Sequence, residues 1–373
     1  VPNLRFPEFQ GEWKEKRLSE IADLFKGNGI SKEQLTDTGE PCILYGELYT
    51  KYKSEVISNI FSKTDIDTRK LVKSKANDVI IPCSGETAVD IATARCVPYD
   101  NILLGGDLNI IRLYDCDGSF MSYQLNGKRK YDLAKVAQGV SVVHLYGDHL
   151  KGVKTYNPCL EEQKKIAKLL SLLDERIATQ NKIIEDLKKL KSAISENLFK
   201  AVKGDVVILC EICEIIKGKQ INGEFLSEKG RYYVMNGGTE PSGYYSDCNV
   251  EANTISISEG GNSCGYVQFN SSPFWSGGHC YTIQKLAENV DNMYLYHYLK
   301  SKEDAIMKLR IGSGLPNIQK KDLAMFKIKL PNVEQQKSIS TFLSSLERKA
   351  EIEEFIQNAM LKEKQYLLQQ MFI

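Results

Sequence analysis

The side chains of this sequence that could do chemistry form small clusters of basic and polar residues beside glycine. Lys26-Gly27-Asn28 corresponds to Lys217-Gly218-Lys219 when the chain is aligned with itself. A lysine next to unhindered glycine backbone suits a phosphate oxygen. The same pattern also fits an ordinary helix C-terminus, in which glycine is the left-handed cap and lysine complements the helix dipole. Both interpretations remain open from the sequence.

A second pair of clusters joins basic helical segments to loops of small residues. Gly139-Val140-Ser141 with His144 corresponds to Gly312-Ser313-Gly314 with Asn317. Basic residues precede both loops, namely Lys128, Arg129, Lys130 and Lys135 in the first half and Lys300, Lys302, Lys308 and Arg310 in the second. Such clusters beside flexible loops suit a nucleic-acid backbone, and a solvated helix face is the alternative.

The middle of each half carries side chains that can hydrogen-bond to base edges, although each of them alone also fits a turn. They are Ser84, Glu86, Thr87 and Arg95 in the first half and Asn253, Asn262, Ser263 and Gln268 in the second. The candidates for DNA contact are therefore Lys26, Asn28, Ser84, Thr87, Arg95, Lys128, Arg129, Lys130, Ser141, His144, Lys217, Lys219, Asn262, Arg310, Ser313 and Asn317.

Signatures of catalysis and of metal binding are missing from the sequence. It contains neither a Gly-x-x-x-x-Gly-Lys-Ser/Thr phosphate loop nor a strand-linked Gly-x-Gly-x-x-Gly. Cys210 and Cys213 form a single Cys-x-x-Cys whose repeat equivalents are Ser19 and Ala22, and a zinc site would need a second pair. We therefore expect no catalytic residue, no metal ligand and no cofactor bound by this chain.

Composition narrows the class of protein further. The 373 residues include 49 basic and 48 acidic ones, so the formal net charge is +1 and any recognition of anions must be local. No apolar run approaches the length of about 18 residues that a membrane span needs, and no apolar leader opens the sequence. Ten irregularly spaced cysteines favour reduced thiols. We expect a cytoplasmic protein that does not bind membranes.

The elements that position these clusters are duplicated. Leu18–Gly46 aligns with Leu209–Gly237 without a gap, and ten of the 29 positions are identical. Random pairing would give about two identities, given average residue usage. Gln138–Ile166 then matches Ile311–Ile339, whereas the sequences between the two matching blocks differ. The repeat predicts two copies of one frame with different middles.

Each copy ends in a pattern typical of a long helix with one apolar seam. Pro158 and Pro331 precede the two helical patterns, and each predicted helix has about 40 residues, or roughly 60 Å at 1.5 Å per residue. Polar residues interrupt both seams, and Lys364 is the repeat equivalent of Lys191. The first seam is Ile166, Leu170, Leu173, Ile177, Ile184, Leu187, Ile194 and Leu198, and the second includes Ile339, Leu343, Leu346, Met360, Leu367 and Met371. These shared interruptions favour pairing of the two helices.

The sequence thus predicts an α+β protein with two globular domains and two long helices that form an antiparallel coiled coil. We place the first globular domain at residues 1–157, the first helix at 158–203, the second globular domain at 204–330 and the second helix at 331–373. Short strands are predicted at Asp78–Ile81, Asn109–Leu113, Thr254–Ile257 and Tyr281–Gln284, and helices at Lys130–Val136 and Tyr294–Leu309.

Over the whole chain the sequence resembles the specificity subunits of type I restriction-modification enzymes. The opening resemblance lies in Leu4-Arg5-Phe6-Pro7-Glu8-Phe9, Glu12-Trp13 and Leu18-Ser19-Glu20-Ile21. The resemblance at the end of the second domain lies in Leu315-Pro316-Asn317-Ile318, Leu323, Ile328, Leu330-Pro331, Glu334-Gln335-Gln336 and Ile339. The first copy departs from that pattern with Val142-Val143-His144 but keeps Pro158, Glu161-Glu162-Gln163 and Ile166.

The resemblance implies a non-catalytic subunit that reads a bipartite DNA sequence, with one half-site for each target-recognition domain. It further implies double-stranded DNA, two modification subunits and restriction or translocase subunits as partners. These partners would bring S-adenosylmethionine, ATP and magnesium. Because the middles of the two copies differ, we expect two different half-sites. The competing hypotheses are a structural adaptor that binds protein rather than DNA, and a self-contained enzyme, which the missing motifs disfavour.

Overall fold

Two compact units make up the structure, a computed structural model that describes residues 1–139, 142–312, 314 and 316–373. Unit 1 comprises Val1–Asn181 and Phe355–Ile373, and unit 2 comprises Lys182–Glu354. The chain passes between the units twice, each time within a long helix.

Unit 1 contains twelve strands in its described residues. They are β1 (Lys14–Arg17), β2 (Ala22–Lys26), β3 (Leu35–Thr36), β4 (Glu40–Ile43), β5 (Ser62–Thr64), β6 (Asp78–Pro82), β7 (Ser84–Gly85), β8 (Arg95–Val97), β9 (Leu103–Leu104), β10 (Leu108–Leu113), β11 (Val143–His144) and β12 (Lys154–Asn157). They form two four-stranded sheets, β2-β10-β6-β8 and β3-β5-β4-β9, and two ribbons, β1-β12 and β7-β11.

Seven helices of unit 1 alternate with these strands or follow them along the described chain. They are α1 (Leu18–Ile21), α2 (Glu47–Thr50), α3 (Ala88–Ile91), α4 (Gly118–Asn126), α5 (Lys130–Lys135), α6 (Gly147–Lys151) and the beginning of α7 (Leu160–Ala201). Every residue of β6 is buried, which accounts for its uninterrupted apolar run Val79-Ile80-Ile81. A separate aromatic cluster, which includes Trp13, Phe120 and Phe372, packs the beginning of α7 against the last residues of the chain.

Unit 2 repeats the central sheet of unit 1. Its elements are β13 (Asp205–Ile208), α8 (Leu209–Ile212), β14 (Glu214–Lys217), β15 (Tyr232–Met235), β16 (Gly243–Tyr245), β17 (Thr254–Ser258), β18 (Val267–Asn270), β19 (Trp275–Ser276), β20 (Cys280–Gln284), α9 (Asn292–Ser301), α10 (Glu303–Met307), α11 (Lys320–Ala324), β21 (Lys327–Leu330) and α12 (Val333–Gln370), whose last part belongs to unit 1. The sheet β14-β20-β17-β18 has the order of β2-β10-β6-β8, and both are antiparallel throughout.

The long helices α7 and α12 pair in antiparallel fashion within each unit. In unit 1, Asp174 contacts Lys364 and Asn181 contacts Gln357. In unit 2 the pairs Lys188–Glu354 and Lys191–Glu347 run in the same antiparallel sense. All the predicted seam residues are buried or half-buried. The expectation of an α+β protein with an antiparallel helix pair is therefore confirmed.

Lys364 and Lys191, which interrupt the apolar seams, form ion pairs with nearby carboxylates. In unit 1, the ammonium of Lys364 lies 2.6 Å from Asp174 and 2.5 Å from Glu55, and the Tyr123 hydroxyl donates to Asp174 at 2.8 Å. In unit 2, Lys191 lies 2.5 Å from Glu347. Asp174 and Glu347 are repeat equivalents, as are the two lysines. We refer to these groups as the polar locks of the units.

The interpretation of the two lysine-glycine clusters as helix C-termini is wrong. Lys26 and Lys217 end strands β2 and β14 rather than helices. The glycines that follow them are not left-handed helix caps. A Cβ on Gly27 or Gly218 would clash with the backbone of the facing loop, so close approach explains their glycine.

The predicted helix Tyr294–Leu309 is broken in two. Asp291 caps the beginning of α9 by accepting from the Tyr294 amide, and the helix ends at Ser301. Lys302 leaves helical geometry there, with φ −109° and ψ 14°, before α10 begins. The charged run Lys300-Ser301-Lys302-Glu303-Asp304 gave no apolar signal that could have placed this break.

Candidate nucleic-acid interface

A short loop docks on the end of the sheet in unit 2. Ile311 and Asn317 close this loop by a β-bridge, and Asn317 also bridges Gly260 at the end of β17. The Ile318 amide donates to the Glu259 carbonyl at 2.8 Å, and the Tyr281 hydroxyl lies 3.1 Å from the Ile318 carbonyl. These contacts hold Asn317 and Ile318 at the end of the sheet.

Unit 1 has the same arrangement at the equivalent residues. Gln138 and His144 close the loop, and His144 pairs with Ser84. The Leu145 amide donates to the Cys83 carbonyl at 2.8 Å, and the Asn109 side chain donates to the Leu145 carbonyl at 2.8 Å. We call residues 83–85, 138–139 and 142–145 the platform of unit 1, and residues 259–261, 311–312 and 316–318 the platform of unit 2.

The platform of unit 2 surrounds a carboxylate. Glu259 is buried, lies 2.5 Å from the Lys217 ammonium and accepts a hydrogen bond from the Tyr281 hydroxyl at 3.1 Å. His279 lies 3.6 Å from the other carboxylate oxygen. Burial, together with the nearby Glu259 charge, raises the pKa of Tyr281, so its hydroxyl stays protonated and remains a donor.

The platform of unit 1 lies beside an aromatic ring instead. The Lys26 ammonium lies over the ring of Tyr146, 5.5 Å from its centroid. His144 stacks on the same ring at 5.9 Å, and the Ser84 hydroxyl donates to Asp107 at 3.2 Å. The two platforms thus share a backbone frame but present different hydrogen-bonding groups.

Several sequence candidates lie at or beside these platforms. In unit 1 they are Lys26, Ser84 and His144. In unit 2, Asn317 belongs to the platform, Lys217 contacts its carboxylate, and Lys219, Asn262 and Arg310 are exposed residues of neighbouring segments. Ser141 and Ser313 lie outside the described residues.

Other candidates in unit 1 are engaged in internal contacts. Asn28 bonds to the Lys70 carbonyl at 2.7 Å and the Val72 amide at 3.0 Å, so it secures a loop. Arg95 is buried and donates to the carbonyls of Tyr52 and Ala94. Arg129 donates to the Ile373 carbonyl at 2.7 Å and pairs with Asp132 at 3.0 Å. Thr87 caps α3, and Lys128 and Lys130 are half-buried.

Sequence reasoning did not single out Glu259, His279 or Tyr281 as site residues. Only the approach of Glu259 to Lys217 in the folded chain gives this carboxylate a role. The sequence signal that could have led to this site is the repeat, because Lys26 and Lys217 occupy equivalent positions in the two copies.

Within the described part of the chain, no three His, Cys, Asp or Glu side chains are grouped so that they could hold a metal ion. Cys213 donates to the Leu209 carbonyl, and burial raises the pKa of its thiol to about 12. The described helices include none that is both long enough and apolar enough to cross a membrane.

Comparison with protein families gives one match over most of the chain. The model of the type I restriction modification DNA specificity domain matches residues 10–189 and again residues 202–362. The two matches correspond to the two copies of the internal repeat.

Individual relatives carry related names. A type I specificity subunit of Mycoplasma pneumoniae is 33% identical over 165 residues, which are 44% of this chain and 42% of that protein. One from Mycoplasma genitalium is 32% identical over 140 residues, 37% of this chain and 36% of that protein. The aligned part thus spans about two fifths of these relatives. The specificity subunit of the type I restriction enzyme MjaVIII of Methanocaldococcus jannaschii is 25% identical over 94% of this chain and 88% of its own.

Solved structures share the fold. The S subunit of a type I restriction-modification system from M. genitalium superposes with a TM-score of 0.71 at 20% identity, covering 100% of this chain and 99% of that one. A chain from a structural study of assembly and conformational transition of the type I system superposes with a TM-score of 0.59 at 17% identity, and 97% of each chain is covered.

Proposed function

Since the chain belongs to the family of type I restriction-modification DNA specificity domains, we propose that it is the subunit that reads a bipartite, asymmetric DNA sequence. In this proposal unit 1 reads one half-site and unit 2 the other. The chain itself is non-catalytic and directs modification subunits, and restriction or translocase subunits where present, to the site. S-adenosylmethionine, ATP and magnesium are then bound by those partners.

One observation carries this proposal, namely that the same docked loop occurs once in each unit. The backbone bonds that hold Leu145 and Ile318 to the sheet ends are equivalent, as are the lysines at the ends of β2 and β14. A fixed frame with variable side chains suits recognition of two DNA segments by the same docking geometry. The aromatic ring beside the platform of unit 1 and the carboxylate of unit 2 favour different base sequences.

The duplicated helices supply equivalent surfaces for two copies of a partner. Leu169 on α7 and Phe342 on α12 are repeat equivalents, and their side chains are 37% and 46% exposed. Neither belongs to the buried seam, so each is free to pack against another protein. One modification subunit on each unit is consistent with this duplication.

Exchange of the variable region tests whether each unit reads one half-site. Residues 47–137 of unit 1 are replaced by the corresponding region of a relative with another target, and the modified adenines are mapped in a host that carries this chain and its modification partner. We expect one half of the recognised sequence to change and the other to be retained. The reciprocal exchange of residues 238–310 should change only the other half. Changes in both halves after either exchange would contradict the proposal.

A further inference from the structure

A cleft opens in unit 1 directly beside the platform. Its volume is about 780 Å³, within the range of pockets that hold small organic ligands. Ser84, Gly85 and Val142 of the platform form part of its wall, and α2 and the residues that follow it form another. A molecule that reaches the platform of unit 1 therefore also reaches the mouth of this cleft.

The shape of the cleft decides what part of DNA it could take. Base edges in a duplex lie at the bottom of a groove, so a protein reads them with parts that protrude, such as a helix or a loop. A concave cleft cannot enter a groove. It suits a base that has left the stack, because enzymes that take bases out of a duplex receive them in pockets of this kind.

The lining of the cleft suits an aromatic ring. Tyr45, Tyr49 and Tyr52 all contribute to it, within one short stretch around α2. Tyr45 is 39% exposed, whereas Tyr52 is buried and packs against Phe61 with ring centroids 5.5 Å apart. The Tyr49 hydroxyl donates to the Ser84 carbonyl at 2.9 Å, so that ring is fixed to the platform. Stacking on such rings is the usual way in which proteins hold unpaired bases.

Polar groups of both signs line the same space. The exposed carboxylates of Glu86 and Asp90 can accept hydrogen bonds from the exocyclic amino group of cytosine or adenine. Lys53 and Lys130 also line the cleft and can meet the phosphates that flank an extruded nucleotide. Arg95 lines it as well, but its guanidinium donates to the Tyr52 and Ala94 carbonyls and so helps to build the wall.

We propose that this cleft receives one unstacked base from the half-site read by unit 1. Tyr45 stacks on the base, Glu86 accepts a hydrogen bond from its amino group, and the platform holds the adjoining duplex. This assignment rests on the proposed function of the chain as a reader of DNA. If one base must leave the stack, recognition by unit 1 depends on how easily the duplex deforms as well as on its sequence.

Fluorescence of 2-aminopurine tests the assignment, because this base brightens when it leaves the stack. The chain is assembled with its modification partner on duplexes in which each position of the unit 1 half-site carries 2-aminopurine in turn. We expect a severalfold rise at one position that Tyr45→Ala abolishes. Tyr45→Ala should also weaken binding by about tenfold, the effect of losing one base-stacking contact. Glu86→Gln should keep the rise but alter the base preferred at that position.

The matched control is Tyr114→Ala, which removes another exposed tyrosine of unit 1 and should leave the fluorescence unchanged. A base extruded by the modification partner also brightens, but independently of Tyr45. If no signal depends on Tyr45 while the wild-type complex still methylates a bipartite sequence, the cleft assignment is wrong and the proposed function stands. If Tyr45→Ala weakens assembly with the partner in the absence of DNA, the cleft binds protein and the assignment is overturned. If the wild-type complex shows no sequence-specific methylation, the proposed function fails and the cleft assignment fails with it.

Discussion

Buried polar side chains join the globular part of unit 2 to its helices. The ring Nε2 of His297 lies 2.9 Å from the Ser344 hydroxyl, and the Tyr296 hydroxyl donates to Glu347 at 3.3 Å. His297 and Tyr296 lie on α9, and their partners Ser344 and Glu347 lie on α12. These bonds fix the rotation of α12 against the domain, because each requires one particular face of the helix.

His297 makes the stability of the protein depend on pH. Burial lowers the pKa of His297 to about 4, from about 6.5 in an unfolded chain. Its contribution is complete above pH 6.5 and is lost as the pH falls toward 4, because only the unfolded chain takes up a proton in that range. Between pH 7 and pH 4.5 we expect wild type to lose roughly 2–3 kcal/mol more free energy of unfolding than His297→Gln. Urea titration at the two values measures this difference.

Ser344→Ala is the control for that measurement, because it removes the hydroxyl beside His297 but keeps the buried imidazole. It should follow the wild-type pH dependence. Equal pH dependence of wild type and His297→Gln would show that His297 is not held neutral in the folded protein.

At the residue scale, the sequence located basic and polar candidates but could not tell which of their polar groups bond within the protein. Lys26 and Lys217 were found through the repeat, and both are exposed beside the docked loops. Asn28, Arg95 and Arg129 have the same chemical character, yet their polar groups bond within unit 1. Those bonds join segments that are far apart in sequence, so local patterns carry no signal for them.

At the scale of elements, the long helices were predictable because their apolar seam is periodic within a single segment. Lys191 and Lys364 interrupt the two apolar seams at equivalent positions of the repeat, so the sequence also showed these interruptions. The ion pairs of the polar locks explain them. The sheets were less predictable. Pairing of β2 with β10 depends on residues more than eighty positions apart, and this pairing converts the segment after Ile21 into a strand.

Removal of the Lys364 charge tests the polar lock of unit 1. The side chain is only 13% exposed, and its ammonium pairs with both Glu55 and Asp174. Burial raises the pKa of Asp174, and Lys364 opposes this increase, so loss of the lysine leaves two buried carboxylates without the ammonium between them. We expect Lys364→Met to lower the free energy of unfolding by roughly 3–5 kcal/mol. Denaturant unfolding at neutral pH gives the value.

Lys362→Met provides a control on the same helix, because Lys362 is an exposed lysine two residues away. It should change the free energy of unfolding by less than about 0.5 kcal/mol. Similar values for the two variants would mean that the lock contributes no more than a surface ion pair.

At the scale of the whole molecule, the duplication accounts for most of the architecture. The repeat predicted one frame used twice, and the sheets β2-β10-β6-β8 and β14-β20-β17-β18 have that relationship. The sheets β3-β5-β4-β9 and β16-β15-β19 differ between the units, because only part of each sheet comes from the matching blocks and β5, β9, β16 and β19 come from the dissimilar middles. The cleft of unit 1 is formed partly by this variable region, which is why the sequence alone did not reveal it.

Both chain connections between the units are helical, so under the proposed function we expect the spacing between half-sites to depend on helix length. Insertion of four residues after Lys182, with four more after Glu354, lengthens each helix by about 6 Å and nearly preserves its faces. We expect the unread spacer to grow by one or two base pairs, at about 3.4 Å per pair. Mapping of modified adenines measures the spacer.

A four-residue insertion after the exposed Gly11 is the control and should leave the spacer as it is. An unchanged spacer in the helix variant, with methylation intact, would contradict the role of the helices in setting the spacing.

The division of the chain into units also determines the order in which a ribosome can complete them. Unit 2 is one continuous stretch, whereas unit 1 needs residues 355–373 to finish its helix pair and to bury Phe372 beside Trp13 and Phe120. Synthesis proceeds from the N-terminus at about 5–20 residues per second. The half of the protein that is made first therefore finishes folding last, and its aromatic cluster stays incomplete throughout the translation of unit 2.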